Sequence, residues 1–270
     1  IREKDKINIF LDNNTSFKIK PSQKKVQILF EDKDLIVIDK PQGMVVHPGA
    51  GNKDDTLVNV LIGKNGENFS DLNGATRPGI VHRIDKNTSG LLVIAKNNFT
   101  HANLGKQFSD HSIKRKYLAL VWGVIRPLKG TIETFITRNK KNRKIMTAHE
   151  FKGKKAITNY STLKVFNGKK LPKISLMEFK LQTGRTHQIR VHMNYKGTSL
   201  IGDEQYKKKN YKYKKIDSEF QKILEDTKGQ VLHASCLGFK HPRNSKKLEF
   251  EAKLPKNFEK LVKFLDKLSN

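Results

Sequence analysis

Two short segments of this sequence hold the residue types that nucleophilic or acid–base chemistry needs. In RPGIVHRIDKNTSGLLVIAKN (77–97), the carboxylate of Asp85 stands two residues from Arg83 and three from His82. In LQTGRTHQIRVHM (181–193), Arg185, His187 and Arg190 follow one another closely. If IVHRID is extended, Arg83 and Asp85 project to one face and His82 and Ile84 to the other. If THQIRVHM is helical with Thr186 as its N-cap, His187 and Arg190 share a face. Arg185 then precedes the helix, near backbone N–H groups that also favour anions. A carboxylate beside guanidinium groups can attack or deprotonate a bound substrate. A purely structural reading is also open: Asp85 as a turn residue bonding the backbone near Asn87 or Thr88, and the arginines as surface ion-pair residues.

Other chemistries find no footing. His187 and His192 are five apart, poorly spaced for one helical face, and the sequence has no HExxH, CxxC or paired-carboxylate pattern. It has no GxxxxGK[ST] or GxGxxG loop either. Neither a metal nor another cofactor is expected.

The elements that must position these groups can be read from the hydrophobic pattern. VQILF and LIVID, joined by EDKD, read as a hairpin, and TLVNVLI from Thr56 as a short helix. GLLVIAK is a strand candidate, Phe99 to His111 an amphipathic helix, and KYLALVWGVI (116–125) a strand. Strand candidates then follow with few helices between them, from Gly130, Ala156, Ile174, Val231 and Lys247. NFEKLVKFLDKL closes the pattern as an amphipathic helix behind Pro255. The expected class is α+β, with a mixed, mostly antiparallel central sheet, flanking helices and a cleft between them.

Composition narrows the partner. The 270 residues carry 54 Lys+Arg against 26 Asp+Glu, a net charge of +28, which suits a polyanion such as nucleic acid. Only ten of these cations are Arg, and four of them, Arg77, Arg83, Arg185 and Arg190, fall in the two segments above. Further cations cluster in RNKKNRK from Arg138, KGKK from Lys152 and YKKKNYKYKK from Tyr206. A single Cys, no long apolar run and no apolar leader in IREKDKIN point to a cytoplasmic protein with no membrane span.

HRIDKNTSG, preceded by RPG and followed by LLVIAK, resembles the catalytic motif of the RluA-type pseudouridine synthases. LQTGRTHQIRVHM resembles that family's later arginine-bearing motif and KRKYLALVWG its tyrosine-bearing strand, while KPQGMVVHPGAG (40–51) and LIGDEQY (200–206) are similar to its flanking signatures. The similarity runs in order from about Glu31 to Leu254 and looks closest to the RluD-type branch, which acts on large-subunit ribosomal RNA. The resemblance implies an RNA uridine isomerase that needs no cofactor, and a monomer is expected. It implies Asp85 as the essential aspartate, either bonding to the sugar or removing a sugar proton. It also implies Arg185 as the cation beside Asp85, because a carboxylate that substrate buries needs a fixed opposing charge, and Tyr117 as the ring that stacks on the displaced base. Arg83 is expected to fill the place of the flipped nucleotide. His82, placed as structural support, stands with His187 and Arg190 on the RNA side, and Arg138, Lys140 and Lys208 of the basic clusters are expected on RNA phosphates. Residues 1–25 are too few for the RNA-binding domain usual in that branch and read as its tail, with 26–270 as the catalytic domain. Two rivals stay open: a non-catalytic RNA-binding or ribosome-assembly factor, and a synthase for transfer RNA.

Overall fold

The runs LIVI and GLLVIA have no polar face, and such runs form strands covered on both sides. β2 (Leu35–Lys40) and β3 (Ser89–Ala95) do this in the computed structural model, which describes residues 5–6, 19–49, 51–66, 68–168, 171–206 and 217–269. Ile36, Ile38, Leu92 and Ile94 pack under α1 (Leu57–Asn65), whereas the alternate residues Leu35, Val37, Leu91 and Val93 pack with Leu104 of α2 (Asn98–Ser109). β1 (Gln27–Glu31) completes the expected hairpin with β2. Its turn is fixed by Asp32, whose Oδ1 accepts from the Asp34 and Leu35 N–H groups, while Asp34 takes both Nε and Nη2 of Arg243.

The remaining strands are β4 (Lys114–Trp122), β5 (Lys129–Arg138), β6 (Met146–His149), β7 (Lys154–Gly168), β8 (Leu171–Leu181), β9 (Leu232–Lys240) and β10 (Lys247–Glu251). They join β1 to β3 in one sheet of order β1-β2-β3-β9-β4-β8-β7-β5-β6, with β10 also on β9. Every pairing is antiparallel except β3 with β9. That parallel contact is close. A Cβ on Gly90 would lie 2.3 Å from the Ala234 carbonyl oxygen, and Gly90 has φ +109°, so only glycine fits. The Ser-Gly that ends the Asp85 segment is thus the point where this segment docks on the sheet centre.

α3 (Gln188–Tyr195) lies on the α1 side of the sheet, where Ile189 and Met193 meet Tyr117, Ala119 and Phe179. α5 (Lys256–Ser269), legible as an amphipathic helix, covers the other side with α4 (Ser218–Thr227) over Leu120, Trp122 and Phe166. The expected α+β class and mixed sheet are what forms. Sequence patterning overlooked β6, too short and polar to alternate, and α4, which buries only Phe220 and Thr227. Packing also reaches back before residue 26: Ser22 N–H donates to the Asn59 carbonyl, and the Asn59 side chain to that of Lys20. Among the described residues no helix is long and apolar enough to cross a membrane.

Two buried histidines, His192 of α3 and His233 of the central strand β9, make folding pH-dependent. His192 sits between Thr158 and Thr134 hydroxyls, and His233 between the Ser89 hydroxyl and the Ala252 carbonyl, both with no exposure. Burial pulls each ring from 6.5 down to about 4. Between those values the unfolded chain binds protons that the folded chain refuses. The stabilisation is therefore complete above pH 6.5 and is lost as pH falls toward 4, by about 3 kcal/mol for each ring. Thermal unfolding midpoints should drop steeply over this range; a flat profile would mean that the rings titrate normally in the folded chain.

Candidate active site

Asp85 lies in the turn that leads into β3, and three contacts from below fix that turn. Thr88 N–H donates to the Asp85 carbonyl, and the Lys86 carbonyl accepts from both Gly43 N–H and Lys40 Nζ. Lys40 is fully buried, and its ammonium also donates to the Pro41 and Met44 carbonyls at 2.8 Å. Burial draws its pKa down to about 7, opposed by the nearby charges of Asp85 and Asp39. The KPQG stretch is thus the bed of the Asp85 turn, with Gly43 at φ +84° making the bend. The Asp85 side chain does not cap its own turn, so the structural reading of it fails.

Its partner is Arg190. Arg190 Nη1 donates to Asp85 Oδ2 at 2.9 Å, while Nε and Nη2 grip Asp203 Oδ2 and Oδ1 at 2.7 and 2.9 Å. Nη2 also donates to Gln205 Oε1, and the guanidinium lies 4.9 Å over the Tyr206 ring. Two carboxylates hold its pKa up against burial. Asp203 in turn accepts from the Gln205 and Tyr206 N–H groups, so GDEQY forms a rigid cup around Arg190. Against the expectation, Arg185 does not pair with Asp85. Its Nε donates to the Lys155 carbonyl, and its own N–H is held by Gln188 Oε1. Gln188, tied also to Thr183, Thr158 and Ile157, closes the start of α3. The N-cap is therefore His187, in a left-handed conformation with φ +57°, and not Thr186.

His187 Nε2 stands 3.7 Å from Asp85 Oδ1, so His187 and Arg190 both meet that carboxylate although His187 caps the helix instead of lying within it. Its Nδ1 is 2.8 Å from the Tyr206 hydroxyl, which accepts from Met146 N–H. Burial keeps the ring's pKa below the ordinary value. Through the same hydroxyl, the turn between β5 and β6 is joined to the site. That turn carries Arg138 and Lys140, both exposed.

A cavity of about 460 Å³ opens above Asp85, walled by Tyr117 and Arg115 of β4, Leu232 of β9, Ile189 of α3, Arg185 and Phe108. Tyr117 is buried, and burial raises its phenol pKa, so the ring enters the cavity neutral. A second cavity of about 760 Å³ meets the first at Arg83, Asp85, His187 and Arg190 and is bounded by α4. Arg83 is exposed at this junction and donates through Nη1 to His47 Nε2 at 2.7 Å, with His47 anchored on the Pro48 carbonyl. His82 turns the other way. It accepts from Val93 N–H, stacks on Phe108 at 4.4 Å and is held down to about 3 by burial. Its position is structural, apart from its edge on the cavity wall. Lys208 lies outside the described residues.

The structure therefore gathers Asp85, Tyr117, His187, Arg190 and Arg83 around one opening and leaves Arg185 on its wall. Sequence reading missed Asp203, Gln205, Tyr206, His47 and Lys40 as supports. The signal for them was the pair of flanking signatures, whose residues carry no chemistry until folding brings them to Arg190 and Arg83. What remains is a carboxylate held by a buried guanidinium beside an aromatic-floored cavity with cations at its mouth.

The sequence profile of the family described as RNA pseudouridylate synthase matches residues 34–195. The chain is 44% identical over 247 residues to the ribosomal large subunit pseudouridine synthase D of Zymomonas mobilis, covering 91% of this chain and 74% of that one. It is 42% identical over 267 residues to an uncharacterized RNA pseudouridine synthase of Bacillus subtilis, covering 99% and 82%. Its fold is similar to that of human RNA pseudouridylate synthase domain containing 4, with a TM-score of 0.66 at 24% identity over 89% of this chain and 93% of that one.

Proposed function

Because the chain belongs to the RNA pseudouridylate synthase family, we propose that it isomerises uridines of large-subunit ribosomal RNA, with Asp85 acting at the sugar of a flipped nucleotide. The observation that carries this reading is the Asp85 carboxylate held at 2.9 Å by Arg190 at the edge of the cavity lined by Tyr117. A stacked base hides its glycosidic bond, so the nucleotide must leave the helix at a cost of about a few kcal/mol. Tyr117 offers a ring for the extruded pyrimidine, and Arg83, braced by His47, is placed to fill the gap. The C1′–N1 bond breaks, the base turns, a C1′–C5 bond forms and the C5 proton is exchanged for one on N1. Asp85 serves either by adding to C1′ or by taking a sugar proton, and the Arg190 contact fixes its carboxylate in place for either.

The relatives named for the ribosomal large subunit support that substrate. The charge of +28 and the exposed Arg138 and Lys140 beside the Tyr206 link supply phosphate contacts, and Lys208 is proposed as another. Arg185 remains a wall residue that can meet RNA through its free Nη groups. We propose that it acts as a monomer and in the cytoplasm, where it would meet ribosomal RNA. A factor that only binds RNA has no use for the Asp85–Arg190–Asp203 chain.

Mapping pseudouridines in cells that carry either the parent chain or Asp85→Asn tests the substrate. Specific sites in large-subunit ribosomal RNA should revert to uridine while transfer RNA is unchanged. Loss confined to transfer RNA would overturn the ribosomal reading and keep the reaction.

A further inference from the structure

Along β4 the residues alternate, so Arg115 and Tyr117 project to the same face, and both line the cavity above Asp85. Arg115 is only 9% exposed, yet it lacks the partner that a buried guanidinium requires. Among the described residues its one hydrogen bond is a long 3.4 Å contact from Nη2 to the Leu181 carbonyl, and no carboxylate pairs with it. Its Nε is buried with no partner at all. Phe108 supports the group from 5.5 Å, and Gly184 makes room for it, since a Cβ there would stand 2.8 Å from Nη1. Burial pushes its pKa down, the mark of a charge awaiting its counterpart. The Tyr117 hydroxyl feels both the Arg115 cation and the Asp85 anion. One cavity thus holds a carboxylate, an aromatic ring and a spare guanidinium on its walls.

A uracil ring in that cavity carries two carbonyl oxygens, and these are acceptors that a guanidinium's N–H groups can meet. We propose that Arg115 is a catalytic residue that binds the uracil anion formed when the glycosidic bond breaks, donating N–H to a carbonyl oxygen of the base. This rests on Asp85 acting at the sugar. The electron pair of C1′–N1 leaves with N1, and the negative charge spreads onto the carbonyl oxygens, where Arg115 meets it. When C5 then bonds to C1′, using an electron pair of the base, Asp85 gives up the sugar carbon or returns its proton. The C5 proton is lost and N1 gains one, so no oxidant or co-reactant is needed. Arg115 stabilises the charge of the detached base more than that of the bound uridine, and an interaction stronger in the transition state raises turnover.

Single-turnover kinetics on a protein-free large-subunit ribosomal RNA transcript test this. Arg115→Met should slow conversion of bound RNA by about 10²- to 10³-fold, the usual loss for one such donor, with transcript affinity nearly unchanged. With 5-fluorouridine at the target, whose base leaves as a weaker base, the same substitution should cost at least about tenfold less, judged by consumption of the nucleoside. A purely structural arginine would slow both substrates equally, and that result overturns the proposal. A phosphate contact would instead weaken binding about tenfold and flatten its salt dependence by about one unit, with the rate of bound RNA kept; that too overturns it. If Arg115→Met does not fold, as judged by thermal unfolding, Arg115→Lys gives the same comparison with charge retained and should show a smaller rate loss that 5-fluorouridine again reduces. Normal turnover in either variant while Asp85→Asn is silent would remove Arg115 and leave the assignment of Asp85 intact.

Discussion

Asp85→Asn should lower pseudouridine formation by about 10⁴-fold or more while RNA affinity stays within a few-fold of the parent. The substitution keeps size, and its Oδ1 can still accept from Arg190 Nη1, so the cup formed by Asp203, Gln205 and Tyr206 has no reason to move. What disappears is the negative charge, without which the group neither adds to C1′ nor removes a sugar proton. Affinity is set mainly by cations on phosphates, and those lie at the mouth of the site and on the turn after β5. Tritium release from C5-labelled uridine measures the reaction, and filter binding at fixed salt measures affinity. Turnover near the parent rate would remove Asp85 from the chemistry.

The second large effect belongs to Arg190. Its fork makes four hydrogen bonds at once, two to Asp203, one to Gln205 and one to Asp85. An ammonium has three donors and no planar edge, so Arg190→Lys cannot serve both carboxylates in this geometry. Asp203, only 2% exposed, would lose one of its two guanidinium contacts, and a hydrogen bond to a charged group is worth about 1.5–3 kcal/mol. We expect turnover to fall by about 10²- to 10³-fold as Asp85 loses its orientation, together with a clear drop in the thermal unfolding midpoint. Arg185→Lys is the control. Its guanidinium donates through Nε to a backbone carbonyl and touches no carboxylate, so both readouts should change little. The opposite ranking of the two variants would restore Arg185 as the partner of Asp85.

Both results depend on supports well away from the reacting atoms. Lys40 and Gly43 hold the Asp85 turn from below through the Lys86 carbonyl, and Gln188 sets the start of α3, whose first turn carries Arg190. His187, held by Tyr206, prevents Asp85 Oδ1 from facing an empty wall. These contacts give the carboxylate one orientation before RNA arrives, so little reorganisation is left for the reaction itself.

The sequence by itself determined the elements with strong periodicity: the β1–β2 hairpin, the doubly buried β3, the long strand β4 that carries Tyr117, and the amphipathic α5. It also determined the reaction class, because a short motif around one aspartate keeps its residue types in order along the chain. Local spacing sufficed to bring His187 and Arg190 together in one short segment, although His187 caps α3 and does not share its helical face. It could not choose between Arg185 and Arg190, since both precede or enter the same short helix and only the direction of each side chain separates them.

That direction is set by tertiary structure. Asp203 reaches Arg190 from a separate loop, Lys155 of β7 captures Arg185, and β9 forces Gly90 and the Asp85 turn against the sheet centre. Each of these contacts joins segments whose separation along the chain carries no periodic trace, and a guanidinium or carboxylate points where its distant partner lies. The unpaired state of Arg115 belongs to the same class of fact, because only the assembled cavity reveals which buried charge has been left without a counterpart.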